Sequence, residues 1–579
     1  DTYLITVGDG GINSAIAPLH PRLPTPIPPI TWSLSPGSIT TVDEAGQPLP
    51  GVEIVVEQLN RRGEWRVFDG FYTDDEGRFD LPVALLTGKR TRLRAMAAGR
   101  AAPDPVELVD GARNGRFAFG PPGAITVQAS DGDGALMPAK VLLWDGDRIV
   151  ARAYTAPAAT TIPLPPGSYG LTVSRGFEYE VYDQPVTIPA NDSVRLDVTL
   201  RRLVDTTGYL SADGHVHGGP SPDSSIPVPL RAISVAAEGV EVAVSTDHEA
   251  LIPWFDDFVA AGMRPYVATV LGQEVTAPIP EHSNAYPFPV RTSEGQRGVP
   301  VDWRLQDMAG LFRVSRERGA QVVALNHPRN GCAWMCLVGY DRVAGDITLD
   351  DPTLLGYRAD AQLWSWDFDT HETMKGHTSP FVDPERPDST GTFDDWISFI
   401  NHGQGITATG VTDTHGLDAE GSPRTFFVAP TDDPAAFADD MLVDAMLRGR
   451  ALVSAGGFAR VHIGDASLGD TVTTDSGDVD LRVEVSALPA IDVVAVQVLA
   501  NCDEVAWIDL ETPHDVIKFS GSIPLSLDAD AHIVVVAHGT RPLPRPFPQF
   551  DAWGVPRVIT NPIYVDVGGD GYVAPGGKT

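Results

Sequence analysis

The sequence predicts a multidomain chain in which a strand-and-helix unit, built on a mostly parallel sheet or barrel, is flanked on both sides by all-β sandwiches. Three observations predict it. The chain has 579 residues, too many for one hydrophobic core, and implies roughly three or four domains. Short alternating strands between turns recur from residue 36 to 202 and again from 456 onward, as in β-sandwiches. From 203 to 455 apolar runs alternate instead with helix-like segments, as in α/β units.

The elements follow in order. Residues 1–35 form a Pro-rich extended segment, where Leu23 to Pro29 reads LPTPIPP and cannot be helix. Residues 36–120 are the first sandwich, with a strand at Gly51 to Glu57 and a tight turn at Asp74 to Asp80 entering another. Residues 121–202 are a second sandwich with the same logic, from Gly123 to Val127 through Ser193 to Leu200. In 203–455 the strand candidates are Val240–Val244, Tyr266–Leu271, Gln321–Leu325, Ala361–Trp366 and Gly405–Val411. Helix candidates there are Pro229–Glu238, Asp302–Arg318, Phe393–His402 and Pro434–Arg448. Residues 456–579 are a third sandwich, ending in a frayed tail from Gly568.

Composition narrows the function. The chain is 42% hydrophobic and 21% charged, which is globular, and its 57 Gly and 50 Pro favour turns over long helices. A formal net charge of −35 repels polyanions and makes nucleic acid and anionic membrane surfaces poor partners. No run of 18 or more apolar residues exists to span a bilayer. The three cysteines, Cys332, Cys336 and Cys502, are too few for a disulfide framework or a four-thiolate zinc site. Cys332 and Cys336 either pair in an oxidising compartment or remain buried thiols. A start at Asp1 rather than Met is what removal of a signal peptide, or trimming, would leave. The acidity and the domain style read as those of a secreted or periplasmic protein.

His, Asp and Glu fall in a pattern within the central region. Asp213, His215 and His217 sit at i, i+2 and i+4, so on an extended strand they share one face. Buried, such a polar face needs metal or hydrogen-bond partners. Val240–Val244 runs into Thr246-Asp247-His248, and Tyr266–Leu271 into Gln273-Glu274, with His282 in the loop beyond. Gln321–Leu325 ends in Asn326-His327-Pro328, and Gly405–Val411 in Thr412-Asp413-Thr414-His415. Successive strands thus deliver ligand-type residues just past their C-terminal ends, where active sites form in parallel α/β barrels. His215, His217, Asp223, His248, Glu274, His282, His327, Asp413 and His415 are too many ligands for one ion. Two or three divalent ions are expected, with Glu274 as the bridge. Imidazole and carboxylate without thiolate suit zinc, manganese or iron.

These segments resemble the PHP (polymerase and histidinol phosphatase) family of metallohydrolases. The resemblance rests on DGHVH (213–217), STDH (245–248), QE (273–274), NHP (326–328) and TDTH (412–415). It implies a distorted (β/α)7 barrel with a di- or trinuclear site. By position, His215, His217, Glu274 and Asp413 would hold one ion, Glu274, His282 and His327 a second, and Asp223, His248 and His415 a third. At position 223 the family often has His. The flanking β-domains and the stretch from Gln273 to Tyr286 look like the CehA/McbA branch, which includes aryl-carbamate hydrolases. The stretch from Gly46 to Phe79 resembles the carboxypeptidase-regulatory-like sandwich of many secreted enzymes.

The resemblance implies a metallohydrolase in which a metal-bridging hydroxide cleaves a small carboxyl ester, aryl carbamate or phosphoester. Glu274 and Asp413 would be catalytic as metal-bound carboxylates, with His371 or His377 as the acid for the leaving group. Asp213 and Asp247 would orient ligating imidazoles. Lys375 and Arg329 would bind anions, and Tyr286 and Trp366 would line the pocket. A second reading stays open: a carbohydrate- or surface-binding protein with a structural metal site and no catalysis. Oligomeric state is not legible in the sequence.

Overall fold

The computed structural model describes residues 37–81, 90–108, 114–277, 279, 281–289, 298–329, 333–376, 380–382, 391–417, 420–511, 514–547 and 555–576. The Pro-rich segment 1–35 lies outside them. In the first unit, Glu53–Leu59, Trp65–Tyr72, Thr91–Met96 and Val106–Leu108 form one sheet. Gly37–Val42, Arg78–Leu81 and Gly115–Ala118 form the other, and Ile39, Ile54, Val56, Leu93 and Phe117 build the core. The second unit repeats the plan. Gly123–Ser130, Thr160–Pro163 and Asp192–Thr199 form one sheet, and Ala139–Asp145, Arg148–Thr155, Gly167–Ser174 and Tyr182–Ile188 the other.

In each unit the first strand runs parallel to the last, Ile39 opposite Gly115 and Ile125 opposite Val194. Each first strand also leaves through the same Asx turn. Asp43 Oδ1 accepts from the N–H groups of Ala45 and Gln47 at 2.9 and 2.8 Å. Asp131 Oδ1 accepts from those of Asp133 and Ala135, both at 2.9 Å. The turn demands a positive φ, which Gly46 (78°) and Gly134 (88°) adopt without strain.

The central strands divide into two sheets. Tyr209–Val216, Val242–Ser245 and Ala268–Leu271 are parallel neighbours, and Arg424–Val428 and Ala451–Ala455 join them antiparallel. In the second sheet Gln273–Thr276, His282–Tyr286 and Val322–Leu325 are antiparallel, followed in parallel by Thr370–Lys375 and Thr407–Val411. Among the described residues no ladder joins Thr407–Val411 to the first sheet.

Side chains satisfy that open edge instead. Asn561 bonds the N–H and O of Ala408 at 2.8 and 3.0 Å, and the Thr425 hydroxyl bonds those of Gly410, both at 2.9 Å. Asp213 accepts from the N–H of Thr412 at 3.1 Å. A Cβ on residue 410 would lie 2.7 Å from the Arg424 carbonyl oxygen, so this approach requires glycine.

The closed (β/α)7 barrel is therefore corrected to two sheets that meet through side chains and a few isolated backbone contacts, Asp413 N–H donating to the His215 carbonyl at 2.9 Å and His217 N–H to that of Thr414 at 3.1 Å. Antiparallel Gln273–Thr276, His282–Tyr286 and Arg424–Val428 interrupt the parallel alternation it needs. Six α-helices occur among the described residues: Val228–Ala237, Phe255–Ala260, Met308–Glu317, Trp334–Leu337, Thr392–Asn401 and Asp439–Leu447. Phe255–Ala260 is unforeseen by the sequence pattern. The expected helix from Asp302 starts only at Met308, where Asp307 caps it by accepting from Gly310 N–H at 2.8 Å. The expected strand Ala361–Trp366 does not form. Trp364 and Trp366 pack instead with Phe368, Tyr340 and Phe399, and the strand runs over Thr370–Lys375.

The first central sheet continues past residue 455. Ala451–Ala455 pairs with Arg557–Thr560, which leads to Ala531–His538, Ala495–Ala500 and Asp503–Asp509. Gly457–Ile463, Asp478–Ala487 and Ile517–Ser526 form a further three-stranded sheet. Leu481, Val485, Val496, Val535 and Ile563 fill a core with them. No helix among the described residues is long and apolar enough to cross a membrane. Cys336 is disulfide-bonded and Cys502 forms no disulfide, while Cys332 lies outside the described residues.

Candidate metal centre

The ligand-type residues converge from both central sheets. The strand Tyr209–Val216 and the residue after it supply His215 and His217, both 0% exposed. His248 follows the strand Val242–Ser245 of the same sheet. The second sheet supplies Glu274 and His282 from within strands, and His327, Asp413 and His415 from just past strand ends. His327 and Asp413 take φ values of 23° and 52°. Left-handed backbone is uncommon for residues other than glycine and concentrates at functional sites.

Glu274, 1% exposed, is the centre. Its Oε2 lies 3.2 Å from His215 Nε2, 3.3 Å from His217 Nε2 and 3.1 Å from His248 Nδ1. Its Oε1 lies 2.9 Å from His282 Nδ1 and 3.2 Å from His327 Nε2. Asp413 Oδ1 is 3.1 Å from the Nε2 atoms of both His215 and His217. Asp223 Oδ2 stands 3.2 Å from His248 Nε2 and 3.1 Å from His415 Nε2. Four overlapping groups have ligand atoms within 4.8 Å of one another: His215, His217, Glu274 and Asp413; His248, Glu274 and His282; His217, Asp223, His248 and His415; and Glu281, His282 and His327.

These residues fit divalent ions. Donor atoms around a tetrahedral ion bound at roughly 2.0–2.1 Å stand about 3.3 Å apart, close to the spacings around Glu274 Oε2 and Asp413 Oδ1. His215 Nε2 and Glu274 Oε2 are buried without a hydrogen-bond partner. Two buried, unpartnered polar atoms 3.2 Å apart are costly unless a cation lies between them.

Outer partners fix the rings. His215 Nδ1 meets Glu372 Oε1 at 2.6 Å, His217 Nδ1 meets Ser221 Oγ at 3.1 Å, and His248 Nδ1 meets Thr276 Oγ1 at 2.6 Å. For His215 and His217 this leaves Nε2 aimed at the centre. Burial pushes His217 down to about 4, so its ring is neutral with a lone pair to give. Burial also opposes the charge of Glu274, but the His215, His282 and His327 rings outweigh it and hold the carboxyl well below the usual range. Asp413 is likewise held low against burial, by His215, His217 and Lys375.

The other expected site residues lie elsewhere or do other work. His371 is buried against Phe399 at 5.3 Å, with Nδ1 3.1 Å from Thr373 Oγ1. Strand alternation turns it away from the centre and turns Glu372 toward it. His377 lies outside the described residues. Arg329 forms a two-pronged pair with buried Asp395 at 2.6 and 2.7 Å rather than waiting for an anion. Lys375 lies 2.5 Å from Asp413 Oδ2. Tyr286 is buried among core residues, and Trp366 belongs to the aromatic cluster. Asp213 and Asp247 bond mainly backbone, the latter accepting from Gly218 N–H at 2.8 Å and from Trp254 Nε1 at 3.0 Å.

Sequence reasoning missed Glu372, Glu281 and Asn326, whose Nδ2 donates to Glu274 Oε1 at 3.0 Å. Adjacency to His371, His282 and His327 was the available signal.

No family model and no curated protein matches the chain. Solved structures match parts of it. The Bacillus anthracis TIE protein is 16% identical over 31% of this chain and 36% of its own, with a TM-score of 0.15. The match thus spans about a third of that protein's length. GBS52, the minor pilin of Streptococcus agalactiae, is 14% identical over 29% of this chain and 97% of its own, TM-score 0.18. A streptococcal ancillary pilin is 17% identical over 30% and 63%, TM-score 0.20. Each likeness spans under a third of the chain and sets no fold for the whole. The expected PHP and CehA/McbA membership, and the hydrolase assignment that came with it, are corrected on the fold: antiparallel Gln273–Thr276, His282–Tyr286 and Arg424–Val428 stand where the family's barrel needs parallel strands.

Proposed function

We propose that this chain is an exported surface- or carbohydrate-binding protein whose central unit is held together by two or three divalent metal ions. One observation carries the reading. The ligand set is divided between two sheets that, among the described residues, isolated bridges but no ladder join across the Thr407–Val411 edge, with His215, His217 and His248 on one and Glu274, His282, His327, Asp413 and His415 on the other. Ions bound there cross-link the sheets, and their binding energy becomes folding energy. Zinc, manganese or iron suits the imidazole and carboxylate donors. The disulfide-bonded Cys336 supports an oxidising compartment outside the cytosol, secreted or periplasmic.

The edge strand Trp65–Tyr72 of the first sandwich supports a binding role. Among the described residues it pairs on one side only, and it exposes Val67 (66%), Phe68 (54%) and Tyr72 (68%). Large apolar side chains exposed along an unpaired strand edge offer an interaction surface.

Elemental mass spectrometry on protein purified without chelator tests the metal. Two or three equivalents of transition metal are expected, lost in His215→Ala and Glu274→Ala, and chelation should lower the thermal midpoint by about 10 °C or more. No bound metal after zinc, manganese and iron are each supplied would sink the reading. Glycan and cell-wall binding with Phe68→Ala and Tyr72→Ala tests the surface.

A further inference from the structure

The segment after Val411 brings Asp413 and His415 to the centre, and the second sandwich holds Leu417 and Glu420. Tyr154, on the strand Arg148–Thr155, places its hydroxyl 3.0 Å from the Leu417 carbonyl oxygen and 3.2 Å from Glu420 Oε2. Arg152 of the same strand also donates to the Leu417 carbonyl. On its other side Glu420 Oε1 accepts from Arg231 Nη1 at 2.9 Å. Arg231 Nε in turn donates to the carbonyl of His217 at 2.9 Å, and Nη2 reaches that of Thr414 at 3.5 Å.

Tyr154, Glu420 and Arg231 are 8%, 1% and 0% exposed. A buried guanidinium, carboxylate and phenol in sequence hold one geometry, because breaking any link leaves a polar group unpaired. The chain ends on the backbone of His217 and of Thr414, the residue between Asp413 and His415. The second sandwich also grips the helix that carries Arg231. Arg175 donates to the carbonyls of Ala236 at 2.9 Å and Pro138 at 3.0 Å, and Lys140 pairs with Glu238.

We infer that the second sandwich is a clamp on the metal centre, with Tyr154, Glu420 and Arg231 as positioning residues for the His217, Asp223, His248 and His415 group. The inference rests on the metal reading above. Coupling of this kind is reciprocal: docking strengthens metal binding, and metal tightens docking.

The test uses the full chain, wild type beside Tyr154→Phe and Glu420→Gln, loaded with zinc and titrated with a chelator. Wild type should hold two or three ions. In both variants one ion should leave at about tenfold lower chelator concentration, as outer partners of ligands typically dictate, while the remaining ions leave as in wild type. Independently, stripping wild type of zinc should speed hydrogen exchange in Arg148–Thr155 and leave Glu53–Leu59 of the first sandwich unchanged. If Glu420→Gln fails to fold, Tyr154→Phe and the exchange measurement decide. Unchanged chelator midpoints in a metal-loaded Tyr154→Phe, with exchange insensitive to metal, overturn the clamp and leave the metal centre standing. A wild type that binds none of zinc, manganese and iron removes both.

Discussion

The second sandwich and the central unit share strands, turns and a border, but they bury opposite things. Between the sandwich sheets lie Ile125, Val127, Val141, Leu143, Leu171 and Val173, and the strand Gly123–Ser130 alternates buried and half-buried residues along its length. In the central unit the buried set includes Asp213, His215, His217, Asp247, Glu274, Asn326 and Glu372. A sandwich core is stabilised by apolar area and tolerates exchanges of similar volume. A core of imidazoles and carboxylates depends on charge compensation, so it fails when one partner is removed. The two regions should therefore respond very differently to single substitutions.

The largest effect is expected at Glu274. Glu274→Gln keeps the side chain's size and removes the charge that His215, His217, His248, His282 and His327 face. Bound metal should fall to one equivalent or none, and stability by about 3–5 kcal/mol, as when one partner of a buried ion pair is lost. Elemental analysis and denaturant titration read both. Full metal content in this variant would show that the centre is not built on Glu274. The parallel change in the sandwich, Val141→Thr, should lower stability without touching metal content.

Arg424 joins the two kinds of core. It is 1% exposed, stacks over Phe177 at 4.9 Å and donates to the carbonyls of Gly421, Gly239 and Glu238 at 2.7, 3.1 and 2.7 Å. Arg424→Met keeps the length but leaves those carbonyls without their donor, at roughly 1–3 kcal/mol each. A loss of about 3 kcal/mol or more is expected in chemical denaturation. A neutral result would mean that water replaces the guanidinium and that the border is wet.

How far the sequence showed this contrast depends on the type of signal. Sandwich strands and turns are local, so their alternation and the tight turn at Asp74 to Asp80 were legible directly, whereas the matching turns at Asp43 and Asp131 emerge only from the structure. The ligands past strand ends were legible because each stands beside a clear apolar run. His371 and Glu372 were not, because neighbours on a strand face opposite sides and one residue of register decides which meets the centre. The aromatic run Trp364, Trp366 and Phe368 imitated a strand by its period of two, yet it packs as a cluster on Tyr340 and Phe399. Closure of a barrel was least legible of all. It turns on whether the edge at Ala408 and Gly410 meets backbone or the side chains of Asn561 and Thr425, which lie far away in sequence.

A smaller effect probes the third sandwich through pH. Burial pushes His532 and His538 down to about 4 in the folded chain, against about 6.5 when exposed. Between those values the unfolded chain binds more protons than the folded one, so stability is full above about 6.5 and falls as pH drops toward 4. His532→Gln should flatten that slope in melts between pH 7 and pH 4 in metal-free protein. An unchanged slope would assign the acid response to other groups.

The smallest effect compares the first two sandwiches with each other. Asp43 and Asp131 each accept two backbone N–H groups in the same turn, at 2.8–2.9 Å, and both turns are solvent-exposed. Replacement by Ala should cost about 1 kcal/mol in either unit, the usual scale for losing a side-chain cap on backbone donors. If the units are equivalent repeats, Asp43→Ala and Asp131→Ala should shift their own unit's hydrogen exchange equally and leave the other's unchanged. The second unit differs in one respect, its attachment to the central unit through Tyr154 and Arg175. An Asp131→Ala effect that is smaller, and that grows to match Asp43→Ala only when Tyr154→Phe is added, would show the attachment restraining a turn that the first sandwich must hold alone.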